Sequence, residues 1–198
     1  MDDIVANAMR KWPNVPNVYG WLRLDQRGRW RIRSNYGEFE RIGNPAVCEF
    51  IGRNYAADAE GRWFFQNGPQ RVFVALEYTP WVFRFADDAE SLVAQNGDSS
   101  GPVISILIDE AGALIVDSEL GIGVVNDREL SLLVDRLSAE NPVLDGGEAL
   151  MALAGSKEEA PYRLFGRTVI LKPVCRAAVP ALFGFNPVPK APPGEPDC

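Results

Sequence analysis

One short pattern recurs along this chain and constrains its fold more than any other feature. Its positions are an apolar residue, Asp, two variable residues, Gly, one variable residue and a large apolar residue, and it occupies residues 24–30, 57–63 and 108–114. Asp followed by Gly three residues later is typical of a tight turn between two strands, because Gly accepts a positive φ. The first and third copies lie about 84 residues apart, and each precedes a helix-start signal. This spacing predicts two similar halves, with a binding site most naturally placed between them.

The composition is typical of a globular protein, with one gap in its chemistry. The chain has 198 residues, of which 46% are hydrophobic and 24% charged, and it has no histidine. The lack of histidine excludes Ser-His-Asp and Cys-His nucleophile systems as well as imidazole metal sites. We therefore expect a binding module rather than an enzyme.

The cysteines and the N-terminus predict a cytoplasmic location. The three cysteines, Cys48, Cys175 and Cys198, lack the spacing of a disulfide framework or a zinc site. The acidic start of the chain does not resemble a signal peptide. No apolar run approaches the roughly 18 residues that would span a bilayer. We expect no metal, no cofactor and no membrane partner.

Charge is distributed unevenly along the chain. Residues 1–84 carry a net charge of +3, residues 85–160 carry −13, and residues 161–198 carry +3. Nonspecific binding to nucleic acid requires a net positive field, so a nucleic-acid partner is not expected. Attraction between two parts of one molecule explains the pattern more simply.

Alternating apolar residues and turn signals predict an α+β fold of two similar halves, each with β-hairpins and a helix packed on a mostly antiparallel sheet. Asn44-Pro45 marks one helix start, Asn126 and Glu129 form a predicted capping box, and a further short helix is predicted over 145–154. The predicted parts are an N-terminal arm at 1–18, a first half at 19–86, a linker at 87–102, a second half at 103–185, and a disordered proline-rich tail at 186–198.

Two stretches of the first half resemble a known family. Residues 61–68 read GRWFFQNG and residues 76–82 read LEYTPWV. They are similar to the "dG-x-W-x-y-x-G" hairpin and the later "vEdaPfv" strand of an uncharacterised proteobacterial family known only as a domain of unknown function. The resemblance covers most of residues 20–185. It implies two structurally similar α+β halves and a role in ligand binding or signalling, without an established activity.

The predicted binding site centres on Glu77. Strand alternation places it on the same face as Phe73, near a region dense in aromatic residues, where a carboxylate has to be paired, hydrogen-bonded or shifted in pKa. Arginines nearby are suitable partners. The alternative is a structural ion pair, or a strand-end residue in water. The predicted ligand-binding residues are Arg62, Arg71, Glu77 and Trp81.

Three other patterns offer weaker candidates. Four arginines on one strand pair form a basic stripe that suits phosphate, an acidic partner or simple solvation. The glycines of Gly121-Ile122-Gly123 precede a helix and suit an anion only in part, because the remaining fingerprint residues are missing. Asp109, Asp117 and Glu119 raise the idea of a divalent cation, although turn geometry alone explains an Asp at 109. The arginines of the stripe are Arg23, Arg29, Arg31 and Arg33.

These observations lead to one leading hypothesis and two alternatives. The leading hypothesis is a cytoplasmic module that senses a small polar ligand or docks a protein partner in a cleft between two similar halves. The first alternative is a carboxylate-based hydrolase or transferase, with Glu77 as acid or base and a divalent ion at Asp109. The second is an assembly protein that forms a homodimer through its aromatic surface.

Overall fold

The computed structural model of the chain describes residues 1–12, 15–140, 151, 154–155 and 158–193. Within it the chain forms two compact units, and its path returns to each of them. The first unit consists of Met1–Asp25, Arg29–Pro80 and Gly184–Cys198, and the second consists of Gln26–Gly28 and Trp81–Phe183.

The first unit is built on a six-stranded sheet. Its elements are α1 (Asp3–Lys11), β1 (Val18–Leu24), β2 (Trp30–Arg33), β3 (Phe39–Arg41), α2 (Pro45–Arg53), β4 (Tyr55–Ala57), β5 (Trp63–Asn67) and β6 (Gln70–Leu76). The strands lie in the order β3-β2-β1-β6-β5-β4. Strands β1 and β6 are parallel, and the other neighbours are antiparallel.

The second unit is built on a seven-stranded sheet. Its elements are β7 (Trp81–Phe85), β8 (Leu92–Ala94), β9 (Val103–Asp109), β10 (Leu114–Ser118), β11 (Gly121–Val125), α3 (Leu130–Glu140), β12 (Ala160–Leu164), β13 (Arg167–Val174) and α4 (Val179–Leu182). The strands lie in the order β12-β13-β9-β10-β11-β7-β8. The pairs β13–β9 and β11–β7 are parallel, and the other pairs are antiparallel.

The two units share one order of elements. Each has a three-stranded meander (β1-β2-β3 or β9-β10-β11), then a helix, then hairpin strands whose last member pairs in parallel with the first strand of the meander. The predicted fold class, α+β with two similar halves on mostly antiparallel sheets, is confirmed. None of the helices in the described part of the chain has the length and apolar character needed to cross a bilayer.

The recurrent pattern forms the same turn in all three places. The Asp carboxylate accepts the N–H of the residue four positions later, at 2.9, 2.9 and 2.8 Å. The Asp N–H donates to the carbonyl of that same residue, at 3.1, 3.0 and 3.1 Å. The Gly of each copy has a positive φ, of 74°, 71° and 79°, which L-residues with a Cβ rarely adopt. The turns begin at Asp25, Asp58 and Asp109.

The predicted start of α2 is confirmed. The side chain of Asn44 accepts the N–H of Ala46 at 3.0 Å, and Pro45 occupies the first turn. Pro fits there because its fixed φ suits a helix and its missing N–H would have no partner inside the helix.

The predicted capping box before α3 is half right. Asn126 does accept the N–H of Arg128, at 3.1 Å. The carboxylate of Glu129, however, accepts the N–H of Phe85 at 2.8 Å, while the N–H of Asn126 donates to the carbonyl of Phe83 at 2.9 Å. Strand β7 therefore supplies the partners that the reciprocal box would have used. A local motif cannot anticipate that competition.

Strand β7 belongs to the second sheet, although the sequence-based bounds keep it in the first half. It pairs in parallel with β11 and antiparallel with β8. Strand β8 itself lies inside the 87–102 segment assigned to a linker, and the division between the units falls after Pro80. Alternation specifies which face of a strand is apolar, but it does not specify which sheet the strand joins.

The proline-rich tail is ordered over much of its described part, which corrects the prediction of disorder from residue 186. The N–H of Asn186 donates to the carbonyl of Gly61 at 2.9 Å, and the carbonyl of Pro187 accepts the N–H of Leu76 at 2.7 Å. Composition predicts disorder because prolines remove donors, but here the bonds use groups that the prolines do not remove. Residues 194–198 and most of the predicted helix at 145–154 lie outside the described residues.

Aromatic residues build the core of the first unit on both faces of its sheet. Phe64 and Phe65 are neighbours on β5, so they point to opposite faces, and both are buried. Aromatic side chains of β5 therefore cover both faces of the sheet. On one face the rings of Trp30 and Tyr55 meet edge to face at 5.1 Å.

Candidate functional site

The carboxylates of the three recurrent turns also bind arginines. The second oxygen of Asp25 accepts from Nε of both Arg29 and Arg31, each at 2.8 Å. The Asp58 carboxylate likewise accepts a hydrogen bond from the arginine four residues later, and the Asp109 carboxylate accepts one from an arginine 67 residues later. Asp25 and Asp109 are buried, where an ionised carboxylate has to be paired. The pattern is therefore a structural unit in which a turn holds a carboxylate and the carboxylate holds an arginine.

This unit accounts for much of the basic stripe. Arg29 and Arg31 are held by Asp25, the aspartate of the first recurrent turn. The guanidinium of Arg23 lies 3.9 Å from the ring centroid of Phe39, a distance typical of a cation–π contact. These arginines bind groups of their own unit, which weakens the hypothesis of a phosphate-gripping surface.

Arg62 and Arg71, two of the predicted ligand-binding residues, lie on the same face of the first sheet. The guanidinium of Arg62 lies 4.9 Å from the ring centroid of Phe73. That of Arg71 lies 4.5 Å from the ring centroid of Phe64. Phe64 and Phe73 are directly opposite each other on β5 and β6. The two arginines thus flank one aromatic pair, and both are half-buried.

The two arginines differ in their partners. Nε of Arg62 lies 2.8 Å from Asp58, and its Nη1 lies 3.2 Å from Glu60. Burial alone raises the pKa of Asp58, but the hydrogen bonds that it accepts from Arg62 and from the backbone of Glu60 outweigh that effect and hold the pKa below its ordinary value. No ion pair joins Arg71 to a carboxylate within the described residues. Arg71 is therefore the more available cation of the two.

Glu77 and Trp81 lie elsewhere. Glu77 follows β6 in the first unit, its side chain is exposed, and its N–H donates to the carbonyl of Leu24 at 3.0 Å. Trp81 begins β7 in the second unit, where it is only 6% exposed and its indole N–H donates to the carbonyl of Leu120 at 3.2 Å. The aromatic surroundings expected for the Glu77 carboxylate do not bury it.

The glycines at 121 and 123 lie within strand β11, not in an anion-binding loop. A Cβ at Gly123 would lie 2.4 Å from the ring of Phe83 and 2.9 Å from the Cβ of Trp81. Glycine is thus required at 123 because the aromatic residues of the neighbouring strand pack directly onto its backbone. This packing explains the glycine without a ligand.

The candidate cation ligand Asp109 is used by the protein itself. One of its oxygens accepts the N–H groups of Ala111 and Ala113 at 3.0 and 2.8 Å. The other accepts from Arg176 at 3.2 Å. Within the described residues, no three acidic or cysteine side chains converge as they would around a metal ion. The metal-assisted alternative therefore gains no support at Asp109.

Asp117 has a shifted pKa and yields a testable expectation. It lies half-buried on β10, opposite Ser105 of β9. Burial raises the pKa of Asp117, against the opposing effects of Lys172 and a hydrogen bond from Ser105. A carboxyl whose pKa is higher in the folded state favours folding below its unfolded pKa, and that contribution is lost as the pH rises through the folded pKa.

We therefore expect Asp117→Asn to raise the urea midpoint of unfolding at neutral pH and to change it little at a pH well below the carboxyl range. The amide keeps the shape of the side chain and carries no charge that burial would penalise. Unfolding curves at the two pH values measure this difference. A variant that is less stable than the parent at neutral pH would contradict the account.

A cavity in the second unit was not predicted from the sequence. It has a volume of about 230 Å³. Apolar side chains from three separate segments form its wall, and Ser91, Glu90 and Arg167 add polar groups. The apolar residues are Leu92, Pro102, Val103, Leu164 and Phe165. We call this site the Arg167 cavity.

Unusual backbone flanks the Arg167 cavity on two sides. Phe165 lines it with a φ of 51°, and Ala89, which precedes Glu90, has a φ of 54°. These are the two non-glycine residues with positive φ in the described chain. Such conformations cost about 1–3 kcal/mol and cluster at functional sites, where the surrounding structure enforces them.

The conformation of Phe165 is enforced by side chains of α3. The carboxylate of Glu140 accepts the N–H groups of Phe165 and Gly166 at 3.0 and 3.1 Å. Arg136 pairs with that carboxylate at 3.2 Å and also with Glu90. These contacts brace both sides of the cavity. In the sequence, the one local signal of this conformation is a large residue directly before Gly166.

Comparisons with known proteins assign the chain to a family. The crystal structure of a DUF1285 family protein from Silicibacter pomeroyi DSS-3 is similar to this chain, with a TM-score of 0.49 and 17% identity over 88% of this chain and 97% of that one. No curated protein matches the chain. A sequence model of the DUF2944 family, described as "Protein of unknown function (DUF2946)", matches residues 1–190. The chain therefore belongs to this family.

Proposed function

We propose that this protein is a binding module that holds a small polar ligand in the Arg167 cavity. The observation that carries the proposal is a concave site whose wall combines apolar side chains with polar groups and one exposed guanidinium, braced on both sides by backbone in a rare conformation. Ligand sites in proteins present apolar surface together with a few fixed polar groups. The bracing by Glu140 supports a site that is formed before the ligand arrives.

The charge and the volume of the cavity restrict the class of ligand that it can bind. Glu90 is paired with Arg136, whereas no ion pair joins Arg167 to a carboxylate in the described part of the chain. A guanidinium in this position favours a carboxylate or a phosphate, which it contacts through two parallel hydrogen bonds. The volume of about 230 Å³ corresponds to about eight water-sized groups. The ligand class is thus a small organic carboxylate or phosphate.

A thermal-shift screen tests this function. A ligand at a hundredfold excess over its Kd stabilises the native state by about 2.7 kcal/mol, which raises Tm by roughly 5–10 °C in a domain of this size. We expect a selective rise with one carboxylate or phosphate class. Arg167→Ala should abolish it, because the cation that recognises the anion is removed.

Arg128→Ala is the matched control for that screen. Arg128 is an exposed arginine of the same unit and does not line the cavity, so its removal changes the net charge equally. A rise in Tm that both variants lose would indicate a general charge effect and would contradict the proposal. A rise in Tm that both variants retain would also contradict the proposal, because Arg167 would then play no part in binding.

A second candidate function is the docking of a protein partner through the residues named from the sequence. Arg71 is half-buried over an aromatic ring and has no carboxylate ion pair within the described residues. Arginine and aromatic residues are both enriched where proteins bind one another. We propose Arg62 and Arg71, which flank one aromatic pair of the first unit, as the contact residues for such a partner; Trp81 is buried in the second unit and is not one of them. Arg71→Ala should then weaken binding while the Tm response of the Arg167 cavity stays intact.

A further inference from the structure

The chain that follows α4 lies on the first unit in an extended, alternating arrangement. Phe185 is 7% exposed, Pro189 is buried, and Ala191 packs against the ring cluster of Tyr19, Phe64 and Phe73. The intervening side chains, at 186, 188 and 190, are exposed. A period of two is typical of a strand that rests one face on a protein surface.

Main-chain hydrogen bonds fix the register of this segment. The N–H of Asn186 donates to Gly61 at 2.9 Å, the carbonyl of Pro187 accepts from Leu76 at 2.7 Å, and Asn186 bridges in parallel to Arg62. Neither bond needs the N–H that a proline lacks. Prolines at 187 and 189 are therefore compatible with strand addition at this place.

The recurrent turn at 58–62 is shaped to receive this segment. A Cβ at Gly61 would lie 2.1 Å from the carbonyl oxygen of Gly184 and 3.0 Å from the Cα of Phe185. Close approach of two backbones is one of the reasons for a glycine. The absent side chain at 61 thus forms the entry of a groove for the extended chain.

A cluster of aromatic rings lies at the end of this groove, where Ala191 packs against it. The rings of Tyr19 and Phe73 stack at 4.6 Å, and Phe64 meets Phe73 edge to face at 5.9 Å. The guanidinium groups of Arg62 and Arg71 border these rings. Aromatic floors that accept prolines recur in domains that bind proline-containing peptides. We call this surface, with the main-chain groups of Gly61 and Leu76, the tail groove.

We propose that the tail groove is a docking site for an extended peptide of a partner protein, with an apolar anchor followed by x-Pro-x-Pro, and that residues 184–193 of this chain occupy it as an internal ligand. The segment on the surface supplies the chemistry of the partner: Phe185 as the anchor, and Pro187 and Pro189 facing inward. The partner peptide displaces the tail and takes over its two main-chain bonds. This inference does not depend on the Arg167 cavity.

Full-length variants with a weakened tail test the proposal. Asn186→Pro removes the N–H that bonds to Gly61 without removing an inward-facing side chain, and Asn186→Ala keeps that N–H and is the matched control. Faster hydrogen exchange at the Leu76 N–H reports release of the tail. The probe is a labelled peptide with the sequence of residues 183–193, followed by fluorescence anisotropy.

We expect the peptide to bind the Asn186→Pro chain at least about tenfold more tightly than the parent chain, because the internal ligand no longer competes at high effective concentration. The Asn186→Ala chain should behave like the parent. A peptide with alanine in place of Phe185 and Pro189 should not bind. If the first variant fails to fold, Phe185→Ala in the full chain releases the tail through its anchor instead.

Two results would overturn the proposal. In the first, the Asn186→Pro chain is folded and its Leu76 N–H exchanges rapidly, yet it binds the natural peptide no more tightly than the peptide with alanine in place of Phe185 and Pro189. In the second, the released chain forms dimers through its own tail at concentrations where the free peptide does not bind, which would assign the groove to exchange between two copies.

Discussion

Replacing Asp109 with alanine is expected to lower the free energy of unfolding by about 3 kcal/mol, the lower end of the roughly 3–5 kcal/mol for breaking a buried ion pair, because Arg176 keeps access to water. The carboxylate is fully buried. Its loss leaves the N–H groups of Ala111 and Ala113 without their acceptor and removes the ion pair of Arg176. Because domains are stable by only about 5–15 kcal/mol in total, this change should be visible as a large drop in the urea midpoint.

Two further variants separate the causes of that loss. Asp109→Asn keeps an oxygen for the turn but removes the charge that binds Arg176, so we expect an intermediate loss. Glu110→Ala is the control, because this neighbouring carboxylate is exposed and accepts the N–H of Arg176 at 2.9 Å; its removal should cost less than about 1 kcal/mol. If Asp109→Ala were as mild as Glu110→Ala, the backbone alone would hold the turn, and the recurrent unit would lose its central element.

Replacing Gly61 with alanine is expected to cost about 2–5 kcal/mol, as the sum of two effects. A Cβ at a φ of 71° costs about 1–2 kcal/mol. A contact of 2.1 Å with the carbonyl oxygen of Gly184 forces the backbone to move, which costs roughly another 1–3 kcal/mol. Urea unfolding measures the sum, and hydrogen exchange at Leu76 shows whether the tail has moved.

Gly37→Ala isolates the second effect. Gly37 also has a positive φ, of 87°, and lies in the same unit, but a Cβ there would have nothing within 4 Å. We expect this variant to lose only the conformational part. Equal losses in the two variants would show that Gly184 and Phe185 yield without cost, and the tail would then be a loosely attached segment rather than a ligand in a shaped groove.

Local patterns predicted the turns and helix starts because each depends on residues that are close in sequence. The recurrent Asp-x-x-Gly pattern specifies a positive φ and a side-chain acceptor, and both are present at Asp25, Asp58 and Asp109. Asn44-Pro45 starts a helix as predicted for the same reason. These features need no knowledge of the rest of the chain.

Features that depend on residues far apart in the chain could not be predicted from the sequence. Nothing within Trp81–Phe85 distinguishes a strand of the first sheet from one that pairs with β11. The two glycines of Gly121–Val125 are not typical of a strand. Glycine is needed at 123 because the ring of Phe83, on the neighbouring strand β7, packs against its backbone. In the tail, the prolines predict disorder unless the surface that receives them is known.

The candidate site shows the same division. The pairing of Arg62 with Asp58 joins two residues of the recurrent pattern. It is therefore a local contact that the sequence could have predicted, with Arg62 partly engaged by the turn. The Arg167 cavity is assembled from residues near 90, 101 and 165, and no local motif joins them. Its clearest mark, the positive φ of Phe165, is a property of the folded chain.

The measurement that tests the central claim most directly is a backbone-amide NMR titration with the carboxylate or phosphate that gives the largest rise in Tm. Binding in the Arg167 cavity predicts shifts concentrated at residues 90–92, 100–103 and 164–167, and these shifts should disappear in Arg167→Ala but persist in Arg128→Ala. Shifts centred instead on Arg62 and Arg71, or saturable binding without any shift around the cavity, would contradict the account.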